Sequence, residues 1–308
     1  MNKRLQNKIA ESKLALPVTG VYAIVIWLLC GLVTNQWWLQ FGCFILSSYL
    51  MAELNNINVL IRIYSRMVSC TFLVLSCAAC FLFPLQQGAI LQLCFVGFLS
   101  ILFMGHDKES TGAAYYAFLV LGIGSMAFVQ IVYFLPLFWL LMGTNLQMLS
   151  WRTFSASLLG LLTPYWLGAC WLVWQEDFSP VVDHFSQLAD FSSLAGIRLL
   201  TLNQLVFFAV LCLLTATGII HYIRSHHGDK IRVRLLYGFF AWVAIFSLML
   251  TVVLPRHYDA LIRMAIVCTA PLLAHFFALT STKITNIAFF VVVGGLLLLT
   301  GYSLWTLL

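Results

Sequence analysis

Long apolar stretches alternate with short polar gaps along the whole chain. A helix needs about 20 consecutive apolar residues to cross the hydrocarbon core of a bilayer. Stretches of about that length occupy residues 15–34, 37–54, 65–85, 88–105, 113–130, 131–147, 153–174, 200–222, 235–254, 264–282 and 286–307. The pattern predicts an all-α membrane protein, a polytopic bundle of about eleven transmembrane helices that forms one integral membrane domain over residues 1–308, without a soluble domain.

The stretch 113–147 is ambiguous, because it carries no charge and could form one overlong helix or a hairpin of two. Lys and Arg gather in the cytoplasmic gaps of membrane proteins, so their distribution discriminates between these alternatives. With two helices, 13 of the 16 bases fall in one set of alternate gaps and 3 in the other, whereas one helix gives 10 against 6. We therefore predict the hairpin, with its turn near Tyr133–Pro136, because Pro136 lacks a backbone donor and restrains the residue before it.

This threading places the N-terminus in the cytoplasm and the C-terminus outside. The composition, 62% hydrophobic and 8% charged with a mean hydropathy of +0.99, excludes a soluble globular protein. The net charge of +6 follows from the excess of cytoplasmic bases and requires no nucleic-acid partner.

The sequence offers little sign of a cofactor. All nine cysteines lie in the apolar stretches, where Cys packs as a small hydrophobe, so we expect neither a disulfide framework nor a metal site. Motifs for binding nucleotides, dinucleotides or catalytic zinc are absent from the sequence, and we expect no cofactor.

The longest polar gap, 175–199, carries the first candidate residues. Ser179-Pro180 is a favourable helix start, and the apolar residues after it recur at helical spacing, which predicts an amphipathic helix on the outer membrane surface. Asp183 and His184 could supply a general base with a carboxylate close by. Neighbouring helical residues point about 100° apart, so a solvated polar face is the competing interpretation.

A second cluster of candidates fills the short outer gap before the tenth apolar stretch. It contains Arg256, His257, Asp259 and Arg263. Two arginines could clamp a lipid-linked phosphate, since a guanidinium matches phosphate oxygens in bidentate fashion. The alternative is an anchoring loop in which Asp259 pairs with the arginines one helical turn away.

His275 is the remaining candidate, because the pattern places it in the middle of the stretch 264–282. An ionisable group at that depth is a functional hypothesis by default, here a proton relay. The alternative is a neutral imidazole that hydrogen-bonds to a neighbouring helix. The sequence places no carboxylate in the middle of any apolar stretch as its partner.

Residues 113–174 carry a recognisable pattern, which comprises Ala113–Gly124, Tyr133–Pro136, Ser150–Arg152 and Gly160–Tyr165. It resembles an uncharacterised family of polytopic inner-membrane proteins from Bacteroidota. Its middle part is similar to the core helices of membrane glycosyltransferases that use polyprenyl-phosphate sugars. The resemblance implies a multi-pass protein of the bacterial cytoplasmic membrane with a polyprenyl-phosphate-linked substrate. Those enzymes place acidic catalytic residues in the first outer loop, whereas residues 34–38 contain no acid here.

Three functional classes follow from these observations. The first is a cell-envelope component that handles a lipid-linked glycan or its carrier at the outer face, with or without catalysis. The second is a non-catalytic scaffold subunit that binds membrane lipids and other membrane proteins. The third is a transporter or flippase, which the odd number of spans and the scarcity of intramembrane charge disfavour.

Overall fold

The computed structural model describes residues 4–105, 110–175, 179–189 and 200–307, and it is helical throughout these ranges apart from turns and short links. The helices are α1 (Leu5–Ala10), α2 (Ala15–Leu29), α3 (Trp38–Asn58), α4 (Met67–Ala78), α5 (Gln86–Leu102), α6 (Thr111–Ala127), α7 (Leu135–Thr144), α8 (Trp151–Gln175), α9 (Ser179–Ser186), α10 (Leu202–Ser225), α11 (Ile231–Val253), α12 (Tyr258–Leu279) and α13 (Lys283–Leu307). The described residues contain no β-strand. The all-α prediction is therefore confirmed.

Helices α10, α11 and α13, and α12 with the turn that precedes it, are long and apolar enough to cross a membrane. Five shorter apolar segments accompany them, and α3 and α8 add two longer helices. Each apolar stretch of the sequence overlaps one of these helical segments. The structure thus supports the expectation of a helical membrane protein, because the apolar surface of such helices suits a lipid environment.

The stretch 113–147 forms two helical segments, as the distribution of bases predicts. Helix α6 ends at Ala127, and Phe128 has an extended backbone with φ −149° and ψ 92°. A 3-10 turn at residues 129–134 then leads into α7. The link between the two helices, residues 128–134, overlaps the predicted turn at Tyr133–Pro136 only at its end. Pro136 itself lies in the first turn of α7, where its missing N–H requires no partner.

Helices α6 and α8 run parallel and very close together. Ser125 hydrogen-bonds to Tyr165 over 2.7 Å, and Tyr115, near the start of α6, contacts Gly160. A Cβ atom on Gly122 would lie 2.7 Å from the carbonyl oxygen of Leu161, so glycine permits this approach of the backbones. Two parallel neighbours require the chain to return between them, and α7 provides that return.

The loops fall into two groups at opposite ends of the bundle. At one end, Arg232 donates to the Phe103 carbonyl oxygen and Asn145 donates to that of Leu235. At the other end, the Tyr258 hydroxyl donates to the carbonyl oxygen of Gln204. The first of these ends contains the gaps rich in Lys and Arg and is called the basic end. The second is called the base-poor end.

Helix α12 forms the centre of the bundle. Its residues from Ala260 to His275 are all buried, and it packs against α4, α5, α10 and α11. A functional group on α12 can therefore be reached only near the two ends of the helix.

The nine cysteines are free thiols. Six are buried, Cys43 and Cys212 are half-buried, and Cys170 is exposed on α8.

Candidate functional site

A cavity of about 430 Å³ opens at the base-poor end, beside the turn that leads into α12. It is lined by Pro84, Leu85, Gln86, Gln87, Gly88, Leu91, Ala127, Phe128, Arg256, His257, Asp259 and Ala260. Three of the sequence candidates, Arg256, His257 and Asp259, therefore line one cavity together with two glutamines. The lining mixes a cation, a carboxyl group, amides and an imidazole with apolar side chains, as expected of a site for an amphipathic ligand.

His257 connects this cavity to the segment that follows α9. Its Nε2 atom lies 3.0 Å from Nε2 of Gln130, and its ring packs edge-on against Phe128. Gln130 also donates to the carbonyl oxygen of Gln187 over 3.4 Å, and the Tyr133 hydroxyl donates to that of Leu188 over 2.5 Å. The short segment at the end of α9 is thereby fastened beside the cavity.

Arg263 lies behind the cavity and does not clamp a ligand with Arg256. Its guanidinium is buried, donates to Oε1 of Gln92 over 2.7 Å, and also donates to the carbonyl oxygen of Leu82. A Cβ atom on Gly88 would lie 2.8 Å from Nε of Arg263, so this glycine leaves the space that the side chain fills. A buried cation requires acceptors, and α5 with the turn before it supplies them.

The alternative interpretation, an ion pair between Asp259 and Arg263, is not formed either. Among the described residues, no carboxylate oxygen lies within 4.0 Å of the Arg263 guanidinium. Asp259 remains half-buried at the cavity wall, one turn before the arginine on α12. The guanidinium of Arg263 faces α5 instead, and the Asp259 carboxyl group lines the cavity.

Asp183 and His184 lie on α9, which is amphipathic, as the sequence predicts, and is eight residues long. Their side chains have different environments. Asp183 is exposed, whereas the His184 ring packs near Tyr165 and Phe185. Nε2 of His184 is buried and has no hydrogen-bond partner. The structure does not join these two side chains into a carboxylate–imidazole pair.

His275 is fully buried, but it lies one turn before the end of α12 and not in the middle of a span. Its Nε2 atom is 2.9 Å from Oδ2 of Asp229, whose side chain is only 2% exposed. Nη1 of Arg62, a half-exposed side chain, lies 4.0 Å from the other carboxylate oxygen. The partner carboxylate comes from the turn between α10 and α11, which folds inward at the basic end.

The surroundings of this pair are aromatic and incompletely hydrogen-bonded. The rings of Tyr237 and His221 lie 4.6 Å and 5.3 Å from the His275 ring. His275 Nδ1, Asp229 Oδ1 and the Tyr237 hydroxyl are buried without a hydrogen-bond partner. A carboxylate on Nε2 orients the imidazole and supports an N–H there, so the pair can hold a proton and can also fasten the α10–α11 turn to α12.

The fastening role gives a direct prediction for Asp229. We expect Asp229→Ala to lower the free energy of unfolding by about 1–3 kcal/mol, because it leaves the buried His275 Nε2 without an acceptor. Asp183→Ala is the matched control, since it removes an exposed carboxylate and should change stability by less than about 0.5 kcal/mol. Denaturant titration of the purified protein in mixed micelles measures both, and equal small effects would contradict the role.

The described fold and its long apolar helices are compatible with an integral membrane protein of the helical class. No protein family model, curated protein or solved structure matches this chain. The functional assignment therefore depends on the two polar clusters themselves. The sequence indicates Arg256, His257, Asp259 and His275, but it misses Asp229 as a partner, because only the inward fold of the α10–α11 turn brings it to α12.

Proposed function

We propose that this chain is a multi-pass protein of the bacterial cytoplasmic membrane. In this proposal eleven helices cross the bilayer, the N-terminus is cytoplasmic, and the cavity beside Arg256 faces outward. There it binds the anionic head group of a lipid-linked glycan, or of its polyprenyl-phosphate carrier, as a component of cell-envelope biogenesis. The unequal distribution of bases, 13 against 3, supports this orientation.

The observation that carries the proposal is the polar cavity at the base-poor end. Arg256 is exposed there, whereas Arg263 is buried behind the wall. A guanidinium at the membrane surface provides charge-assisted hydrogen bonds to a phosphate, which are stronger than neutral ones. Arg256 is therefore the principal candidate for contact with an anionic head group.

The apolar part of the lining supports a lipid-linked ligand over a soluble anion. Leu85, Leu91, Ala127 and Phe128 share the cavity with the polar side chains. A cavity lined by both polar and apolar side chains suits a ligand whose phosphate is attached to a hydrocarbon chain. Gln86 and Gln87 add amide groups that can hydrogen-bond to sugar hydroxyls.

The test compares a polyprenyl phosphate with the uncharged polyprenol of the same length. Both are titrated into the purified protein in nanodiscs, with native mass spectrometry as the readout. The wild type should prefer the phosphate, and Arg256→Ala should lose about 10- to 100-fold of that preference, the equivalent of one charge-assisted hydrogen bond. Arg256→Lys should restore it in part, since lysine keeps the charge but not the bidentate fork.

The matched control is Arg152→Ala, because Arg152 is an exposed arginine at the first turn of α8 and lies at the basic end. It should bind both ligands like the wild type. Equal binding of phosphate and alcohol by the wild type would overturn the proposal. The non-catalytic scaffold subunit would then become the preferred function.

A further inference from the structure

An apolar groove of about 400 Å³ lies at the basic end of the bundle, far along α12 from the outer cavity. Its walls come from α2, α4, α12 and α13, and the link between α1 and α2 closes its end. The lining includes Val18, Val74, Leu273, Phe289 and Leu296. Two of its lining residues, Val18 and Phe290, are exposed, so the groove can be reached from the surface of the bundle.

Three hydroxyl groups line the groove: Ser12 lies at its end, and Thr19 and Thr71, along its length, already donate to backbone carbonyl oxygens. Thr19 donates to the carbonyl oxygen of Ala15 over 2.9 Å. Thr71 donates to the carbonyl oxygens of Met67 and Ala270 over 2.7 Å and 2.9 Å. The two threonine hydroxyls offer no free donor to a ligand, so the groove suits a hydrocarbon chain and not a polar molecule.

The groove extends over about two thirds of the thickness of one leaflet of a bilayer. Its lining on α4 extends from Met67 to Val74, and on α13 from Phe289 to Leu296. Seven residues of helix correspond to about 10 Å at 1.5 Å per residue. Half of the hydrocarbon core is about 15 Å thick. The groove can therefore accommodate most of the length of an acyl chain from the leaflet at the basic end.

Positive charge is concentrated at the end of the groove. Ile9, Ser12 and Leu14 line it there, and the exposed side chains of Lys8 and Lys13 are their neighbours in sequence. The region carries one acid, Glu11, which has an interaction of its own. A lysine ammonium is a compact point charge that attracts lipid phosphates.

Helix α1 is held in place beside the groove. Nε2 of Gln6 donates to the carbonyl oxygen of Phe277 over 2.6 Å and to the Thr280 hydroxyl over 2.8 Å. The amide of Asn7 donates to the carbonyl oxygen of Thr280 over 3.1 Å. The two lysines are thus carried by a segment that is fixed to the end of α12.

We propose that this groove is a binding site for an anionic phospholipid. One acyl chain lies between α2, α4 and α13, and the phosphate head group lies against Lys8 and Lys13. The charge at the end of the groove selects an anionic lipid over a zwitterionic one. This inference is independent of the proposed outer site, which has a different cavity and different residues.

The experiment titrates phosphatidylglycerol and phosphatidylcholine with identical acyl chains into the detergent-solubilised protein, with native mass spectrometry as the readout. The wild type should prefer phosphatidylglycerol. Lys8→Gln and Lys13→Gln should each weaken that preference about fivefold, and the double variant about 30-fold, from the contribution of one basic residue near an anionic lipid. Val18→Trp should weaken binding of both lipids, because it fills the groove.

The matched control is the double variant Arg152→Gln/Arg224→Gln, which removes two exposed charges from other helices at the same end. It should keep the wild-type preference, and a thermal melt of each variant should show an unchanged fold. Equal affinity of the wild type for both lipids would overturn the proposal. A loss of preference in the arginine control as large as that in the double lysine variant would overturn it as well.

Discussion

Gly160→Ala is expected to destabilise the bundle, whereas Gly294→Ala is expected to stabilise it slightly. A Cβ atom on Gly160 would overlap the carbonyl oxygen of Tyr115 and lie 3.1 Å from the backbone nitrogen of Leu119. Both atoms belong to the backbone of α6, so no flexible side chain can move aside. Separating α6 from α8 should cost about 1–3 kcal/mol, the usual range for overpacking a buried contact.

Gly294 is the matched control, because it also lies inside a helix but has no atom outside its own helix within 4 Å of an added Cβ. Alanine is the better helix former, so this variant should gain up to about 1 kcal/mol. Unfolding midpoints in mixed detergent–lipid micelles measure both changes. Equal effects of the two substitutions would show that α6 and α8 are not in close contact.

Arg263→Met is expected to have the largest effect among substitutions near the cavity beside Arg256. The guanidinium is buried and supplies hydrogen bonds to Gln92 and to the carbonyl oxygen of Leu82. Its removal leaves the buried Gln92 Oε1 without a donor, which should cost about 1–3 kcal/mol. The Leu82 carbonyl oxygen also loses this donor but keeps its hydrogen bond from the Leu85 N–H. The variant should therefore show a strongly reduced unfolding midpoint and a lower yield of folded protein.

A second substitution separates this effect from a simple change of shape. Gln92→Leu removes the side-chain acceptor, so the double variant Arg263→Met/Gln92→Leu should be more stable than Arg263→Met alone, because both partners of the bond are then apolar. A double variant that is no more stable than the single one would contradict the role of this hydrogen bond. Arg256→Ala should leave the midpoint near the wild-type value, since that side chain is exposed.

The two polar clusters lie at opposite ends of the same buried helix. Arg263 and Asp259 occupy the first two turns of α12, and His275 occupies its last turn but one. The helix between them is buried and apolar apart from Thr269, whose hydroxyl is 2.8 Å from that of Thr215. The cavity beside Arg256 and the His275–Asp229 pair are therefore separate sites, and each can be tested by substitutions that leave the other intact.

The sequence by itself determined the positions of the helices and the division of 113–147 into two of them. Both results follow from local requirements, because a helix in lipid needs a sufficiently long apolar stretch and because bases resist translocation. The same requirements do not locate the turn between these two helices. Pro136 fits the first turn of a helix as well as it fits a loop, and the chain breaks at Phe128 instead.

Only the tertiary structure decided which polar residues meet. Arg263 pairs with Gln92, 171 positions away, and His275 with Asp229, 46 positions away. Helical spacing gives the neighbours of a residue on its own helix, such as Asp259 for Arg263, but it contains no information about the facing helix. A buried charge selects the best acceptors that packing brings within reach, so these pairings depend on how α12 is enclosed by α5 and by the α10–α11 turn.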